Sequence, residues 1–184
     1  AGNVIAANGG IGIAISGNQG SADGTVIQGN FIGVGSDGLT PLGNAFIGVQ
    51  LYRASVTIGG TAAGARNVIA HSAGNGVEVS TLSGEPVHSP ILSNSIHSNG
   101  GIGINLDFDG VTPNDPGDGD SGPNELQNFP VLNSASSAGG MTTIEGTLNS
   151  TAFTTFRLEF FSNAAVDASG FGEGEVFIGY RDVF

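Results

Sequence analysis

This 184-residue sequence has no cysteine, no tryptophan, no lysine and a single methionine. Without cysteine there is neither a disulfide framework nor a thiolate metal centre, so stability must come from packing, backbone pairing or bound cations. Arg53, Arg66, Arg157 and Arg181 are the only permanent cations, set against 16 acidic residues for a formal net charge of −12. Four scattered arginines cannot form the basic stripe that nucleic acid requires, so no nucleic-acid partner is expected. No apolar run approaches the roughly 20 residues that cross a bilayer, and no membrane span is expected either. Helical repeats are excluded because no 3.6-residue apolar period persists and glycine interrupts every segment. Leucine is too sparse for a leucine-rich repeat, and 7 prolines without a strict glycine triplet rule out collagen.

What is abundant is glycine, 33 residues, and asparagine, set between short β-branched runs. With 39% hydrophobic residues the chain can bury a core, and its composition points to many tight turns joining short strands. The expected fold class is all-β.

An internal repeat narrows this. Asn-x-Ile recurs at Asn3, Asn30, Asn67 and Asn94, with spacings of 27, 37 and 27 residues. A second alternating run follows each: Ile11 to Ile15, Ile47 to Leu51, Asn75 to Val79 and Ile102 to Leu106. An insertion over about 36–44 accounts for the long spacing. Three short strands per period, near 25–28, 30–33 and 46–51, predict a parallel β-helix of about four coils over residues 1–106, each rising about 4.8 Å. The register stacks Ile13, Val49, Val77 and Ile104 inward as a core column, with Ile15, Leu51, Val79 and Leu106 beside it. Gly12, Gly48, Gly76 and Gly103 should face outward, as should Ala14, Gln50, Glu78 and Asn105. Asn3, Asn30, Asn67 and Asn94 form a structural ladder at strand starts, where asparagine tolerates left-handed backbone and can bond to the same amide one coil away. Ala1 to Ile5 already reads as repeat, so the sequence is expected to be part of a longer protein, and the first coil should expose an edge that other coils or another copy cover.

The segments Val26 to Gly33 and Thr57 to Ile69 carry a resemblance. They are similar to bacterial right-handed parallel β-helix repeat proteins of the secreted or cell-surface type, among them large proteins whose N-terminal region bears a CSLREA motif; that motif is absent here. The similarity extends through Asp109 to Asp115, Gln127 to Leu132 and Phe156 to Asn163, and so spans nearly the whole chain. It implies an extracellular, cell-surface location and brings no catalytic residues.

Residues 107–128 form an acidic Gly/Pro-rich connector; Asp107, Asp109, Asp115, Asp118, Asp120 and Glu125 fall within it and no cation does. Crowded carboxylates need solvation or a hard cation, and Ca2+ with its oxygen ligands suits Asp115, Asp118 and Asp120. The spacing is not that of an EF-hand, and a solvated hinge or an end cap to the coils is the other reading. No cofactor is required. Residues 129–184 read as an incomplete Ig-like β-sandwich with strands near 130–135, 142–148, 154–161 and 175–183. Too few for a closed sandwich, these leave an edge that a strand from another copy or from downstream sequence could fill.

Few residues suit chemistry. No nucleophile elbow occurs. His71 and His97 fall one place out of column and are expected to meet at a corner as solvated residues. Glu78 and Asp107 project to about 8 Å apart, within the range of an acid and base in inverting glycoside hydrolysis. Their surroundings are flat and short of aromatics. Lyase chemistry lacks its cationic base. The favoured expectation is a non-catalytic extracellular structural or adhesive module, self-associating or filament-forming; the alternative is a glycan-active or glycan-binding protein using Glu78 and Asp107.

Overall fold

The computed structural model describes residues 2–17, 22–81 and 87–184; Ala1 lies outside the described residues. The described residues are all-β, with one short 3-10 turn among them at Asn124–Leu126. Its first eleven strands are β1 (Val4–Ile5), β2 (Ile13–Ser16), β3 (Thr25–Ile27), β4 (Phe31–Ile32), β5 (Val49–Tyr52), β6 (Val56–Gly59), β7 (Val68–Ala70), β8 (Val77–Ser80), β9 (Ile91–Leu92), β10 (Ser95–His97) and β11 (Ile104–Leu106).

These strands form three parallel sheets, ordered β1-β4-β7-β10, β2-β5-β8-β11 and β3-β6-β9. The chain visits the three in fixed rotation, one short strand in each, and then begins again. Neighbouring strands are therefore one sequence repeat apart. The expected core column is in register, Ile13 pairing with Val49, Val49 with Val77 and Val77 with Ile104, but only Val49 and Val77 are wholly buried; Ile104, on the last strand, is 43% exposed.

Ile32, Ile69 and Ile96 of the first sheet meet Val49, Leu51, Val77 and Val79 of the second and Ile27, Val56 and Ile58 of the third in one apolar cluster. Most of these side chains are wholly buried. Two-residue strands such as β1 and β4 cannot persist alone, because a few ladder bonds do not offset the entropy of ordering the backbone. They form because each buries an isoleucine against neighbours that repeat it.

The glycine column departs from the expectation. A Cβ on Gly48 would lie 2.7 Å from Ile69 Cγ2 and 2.6 Å from the Gly76 carbonyl. One on Gly76 would lie 2.6 Å from Ile96 Cγ2 and 2.7 Å from the Gly103 carbonyl. These glycines face the core at a corner instead of solvent. Strand alternation begins one residue later; the chain is still turning there, and only a residue without a side chain lets consecutive corners nest.

The insertion leaves the repeat as a small hairpin, with Val34 bridged to Pro41. Asp37 seals its turn by accepting from the Leu39 and Thr40 amides and the Thr40 hydroxyl. Those bonds, the Thr40 hydroxyl first, lower its pKa to about 2.

The remaining strands are antiparallel and form two separate hairpins. β12 (Val131–Ala138) pairs with β13 (Met141–Thr147), and β14 (Phe156–Ser162) with β15 (Val176–Val183). The sequence placed all four to within about three residues at each end. Gly139 and Gly140, at φ 59° and 78°, supply the left-handed pair a two-residue hairpin needs. Leu132 and Ile144 of one hairpin face Phe156, Leu158 and Phe160 of the other across an open apolar cavity of about 430 Å3. No helix of the described residues is long and apolar enough to cross a membrane.

Candidate functional site

The polar chemistry of the stack is concentrated in amides. Asn3 donates its backbone N–H and its Nδ2 to Asn30 Oδ1, at 3.2 and 3.0 Å. Asn30 does the same to Asn67 Oδ1, at 2.9 and 3.1 Å, and Asn67 to Asn94 Oδ1, at 3.2 and 2.9 Å. The second Nδ2 hydrogen of Asn67 reaches the Ile27 carbonyl, and that of Asn94 the Ile58 carbonyl. At Asn67 and Asn94 the amide thus also satisfies a buried carbonyl at the strand entry. The ladder residues themselves do not adopt left-handed backbone. That conformation falls on the preceding residue at Gly29 and Ser93, with φ of 68° and 57°. The asparagines are there for the amide, and a neighbour makes the turn.

A second column, absent from the sequence reading, runs five residues further along. Asn8 donates its N–H and Nδ2 to Asn44 Oδ1, and the Ser72 N–H donates to Asn99 Oδ1. Ser72 breaks the run, and its buried hydroxyl has no partner. The signal was present as Asn at a constant offset from the first column. The hairpin insertion displaced Asn44 and the serine interrupted the series.

Glu78 pairs with Gln50 and Asn105 in register, as expected, but it is 3% exposed. Its Oε1 accepts from Gln50 Nε2 at 2.9 Å and its Oε2 from Asn75 Nδ2 at 3.0 Å. Asp107 is exposed, one residue past β11, in left-handed backbone at φ 69°. His71 and His97 do meet at a corner, with ring centroids 5.8 Å apart and edge to face. Burial lowers the His97 pKa; Glu175 opposes that, while His71 and Arg66 add to it.

In the connector, carboxylate oxygens of Asp115, Asp118 and Asp120 lie within 4.8 Å of one another. Two of the three carboxylates are already engaged by the protein. Asp115 accepts from the Gly119 N–H, and Asp118 from the Asn128 N–H at 2.7 Å and the Ser150 hydroxyl at 2.6 Å. Asn128 Nδ2 in turn donates to the Asp115 and Asn149 carbonyls. The cluster therefore ties the connector to the loop after β13. Asp120 Oδ1 is buried without a partner, and burial, with Asp115 and Asp118 beside it, raises its pKa.

The end of the stack is where the two parts of the chain touch. The Ile96 N–H donates to the Gly174 carbonyl, at 2.8 Å, as an antiparallel bridge on the outer edge of β10. Ser95 Oγ and Arg66 Nη2 both donate to the Glu175 carbonyl. Glu159 accepts from the Ser93 N–H at 2.7 Å, from its hydroxyl at 2.9 Å, and from Arg157 Nε at 2.9 Å. On the third sheet the Asn124 N–H donates to the Val87 carbonyl, and Asn124 exchanges side-chain bonds with the Ser89 backbone. Two of the three sheets thus end against the connector and the last hairpin. Glu159 is a docking residue, and Arg66 bonds a carbonyl of the C-terminal unit.

Comparison with protein-family models, with curated proteins and with solved structures finds no match for this chain.

Proposed function

We propose that this chain is a non-catalytic structural or adhesive module of an extracellular surface protein. In this reading the three sheets are the faces of a right-handed parallel β-helix of about four coils. The connector is its joint and end cap, and the two hairpins are a partial Ig-like sandwich. The rotation of the chain through three in-register sheets supports the β-helix, and the facing apolar sides of the hairpins support the sandwich. The family resemblance of the sequence supports the surface location.

One observation carries the non-catalytic reading. Glu78 and Glu173, the two charged residues that are more than nine-tenths buried among the described residues, both end on amide donors. A catalytic acid must exchange a proton with substrate in a cleft. Glu78 has both oxygens committed and little access to water. Its carboxylate is spent on holding Gln50 and Asn75 across the face of the second sheet. The test is incubation with a panel of acidic and neutral polysaccharides, reading released reducing ends. No release is expected; release that Glu78→Gln or Asp107→Asn abolishes would establish the glycan-active alternative.

For the aspartate cluster we favour the joint, because two of its carboxylates already serve as acceptors for the protein. The buried, unpartnered oxygen of Asp120 favours a second reading in which a hard divalent cation such as Ca2+ joins Asp115, Asp118 and Asp120. Their all-oxygen donor set fits that class of ion.

A further inference from the structure

The second amide column does not stop at Asn99. Its N–H and Nδ2, the same two donors that Asn8 presents to Asn44 Oδ1, point to the Glu173 carboxylate, at 3.3 Å to Oε2 and 2.9 Å to Oε1. Glu173 belongs to the segment before β15, 74 residues further along the chain. It stands where the next rung's amide oxygen would be. It is 8% exposed, its Cγ packs within 3.4 Å of the position a Cβ on Gly103 would take, and among the described residues no salt bridge reaches it. The remaining charges around it are few. From its own unit, Asp167 adds a repulsive negative charge. From the stack, Asn99 is neutral; His97, two residues before it, interacts with Glu175, His71 and Arg66.

We propose that Glu173 is a pH-sensitive latch: a carboxylate in an amide's place that seats the C-terminal unit on the last turn of the stack more firmly in acid than at neutral pH. A neutral acid or an amide suits a buried site with only neutral donors, whereas a carboxylate there gives up hydration without gaining a counter-charge. Burial accordingly raises the Glu173 pKa, and the Asn99 bonds oppose that shift without cancelling it. The sign follows. The undocked group ionises near the ordinary glutamate value of about 4.3 and the docked group at higher pH. The contribution to docking is complete below the ordinary value and is lost as pH rises through the raised one. His97 acts in the opposite direction: its depressed pKa favours docking above its ordinary range and weakens it as pH falls. The latch therefore has to be read as a difference between variants. It goes beyond the structural role proposed above and does not depend on it.

The test is hydrogen exchange of the Ile96 and Asn99 amides in the full chain, as protein and as Glu173→Gln, at several pH values between about 4.5 and 8. The glutamine offers the uncharged amide oxygen that Asn44 and Asn99 offer to Asn8 and Ser72. The ratio of variant to parent protection is expected to be near one in acid and to rise several-fold toward pH 8. A ratio that stays constant across this range, or falls with pH, overturns the latch. Should the variant fail to fold, the 13C titration of the Glu173 carboxyl in the unaltered protein decides: a midpoint above the ordinary glutamate range supports the latch, and one within or below it contradicts it.

Discussion

Residues 2–106 and residues 131–183 use the same backbone pairing to different effect. In the stack the inner strands β4 to β8 have neighbours on both sides, their inward side chains are excluded from water, and buried asparagines repeat the same bonds on successive turns. In the hairpins each strand has one partner, β12 is exposed along its whole length, and the apolar faces meet over an open cavity. Strand length does not explain the contrast, for the hairpin strands have seven or eight residues and the stacked ones two to four. What differs is repetition. A two-residue strand is held where every layer offers the same isoleucine, valine and amide at the same place. A long one stays half exposed where nothing covers its second face.

Substitutions should separate the two regions. Leu51 is wholly buried, and Leu51→Ala is expected to cost about 2–5 kcal/mol in chemical denaturation. Leu132 is 61% exposed, and the same truncation there should cost less than about 1 kcal/mol. Equal losses would break the comparison. The amide ladder should show the same gradient within itself. Asn67→Ala strands the Asn30 N–H and Nδ2 and the Ile27 carbonyl, leaves Asn94 Oδ1 only the backbone N–H of residue 67, and should cost on the order of 3 kcal/mol. Asn3, at the exposed first rung, is bonded on one side, and its truncation should cost under about 1 kcal/mol. The smallest effect concerns the joint. If the aspartate cluster serves as an acceptor set for the protein, excess chelator leaves the melting temperature unchanged, whereas a rise with added Ca2+ would transfer Asp115, Asp118 and Asp120 to the cation reading.

The stack was legible because its signal repeats. One Asn-x-Ile at Asn67 means little, but four at a common period fix strand, neighbour and register together, and the Ile13–Val49–Val77–Ile104 pairing follows. Local signals sufficed for the hairpins too, since alternation at Phe156 to Phe160 and the Gly139-Gly140 turn are readable within a few residues. The glycine column was misassigned because alternation describes a strand and fails at a corner, where Gly48 and Gly76 nest under Ile69 and Ile96. The contact between the two parts was not legible at all. Glu159 to Ser93 and Glu173 to Asn99 are single pairs 66 and 74 residues apart, with no second copy to reveal them. A carboxylate standing in for an asparagine leaves no pattern in sequence, because only geometry makes the two equivalent.

The absence of cysteine allows a direct test of the stacking itself. Val26 and Thr57 are register partners on adjacent strands of the third sheet. Val4 and Val68 lie in one column two strands apart, with Phe31 between them. Adjacent strands sit about 4.8 Å apart, within disulfide reach, and alternate ones about twice that, outside it. Mild oxidation of Val26→Cys/Thr57→Cys should therefore give a quantitative intramolecular disulfide, and Val4→Cys/Val68→Cys should give none. A bond in the second pair, or its absence in the first, would contradict successive turns lying directly one above another.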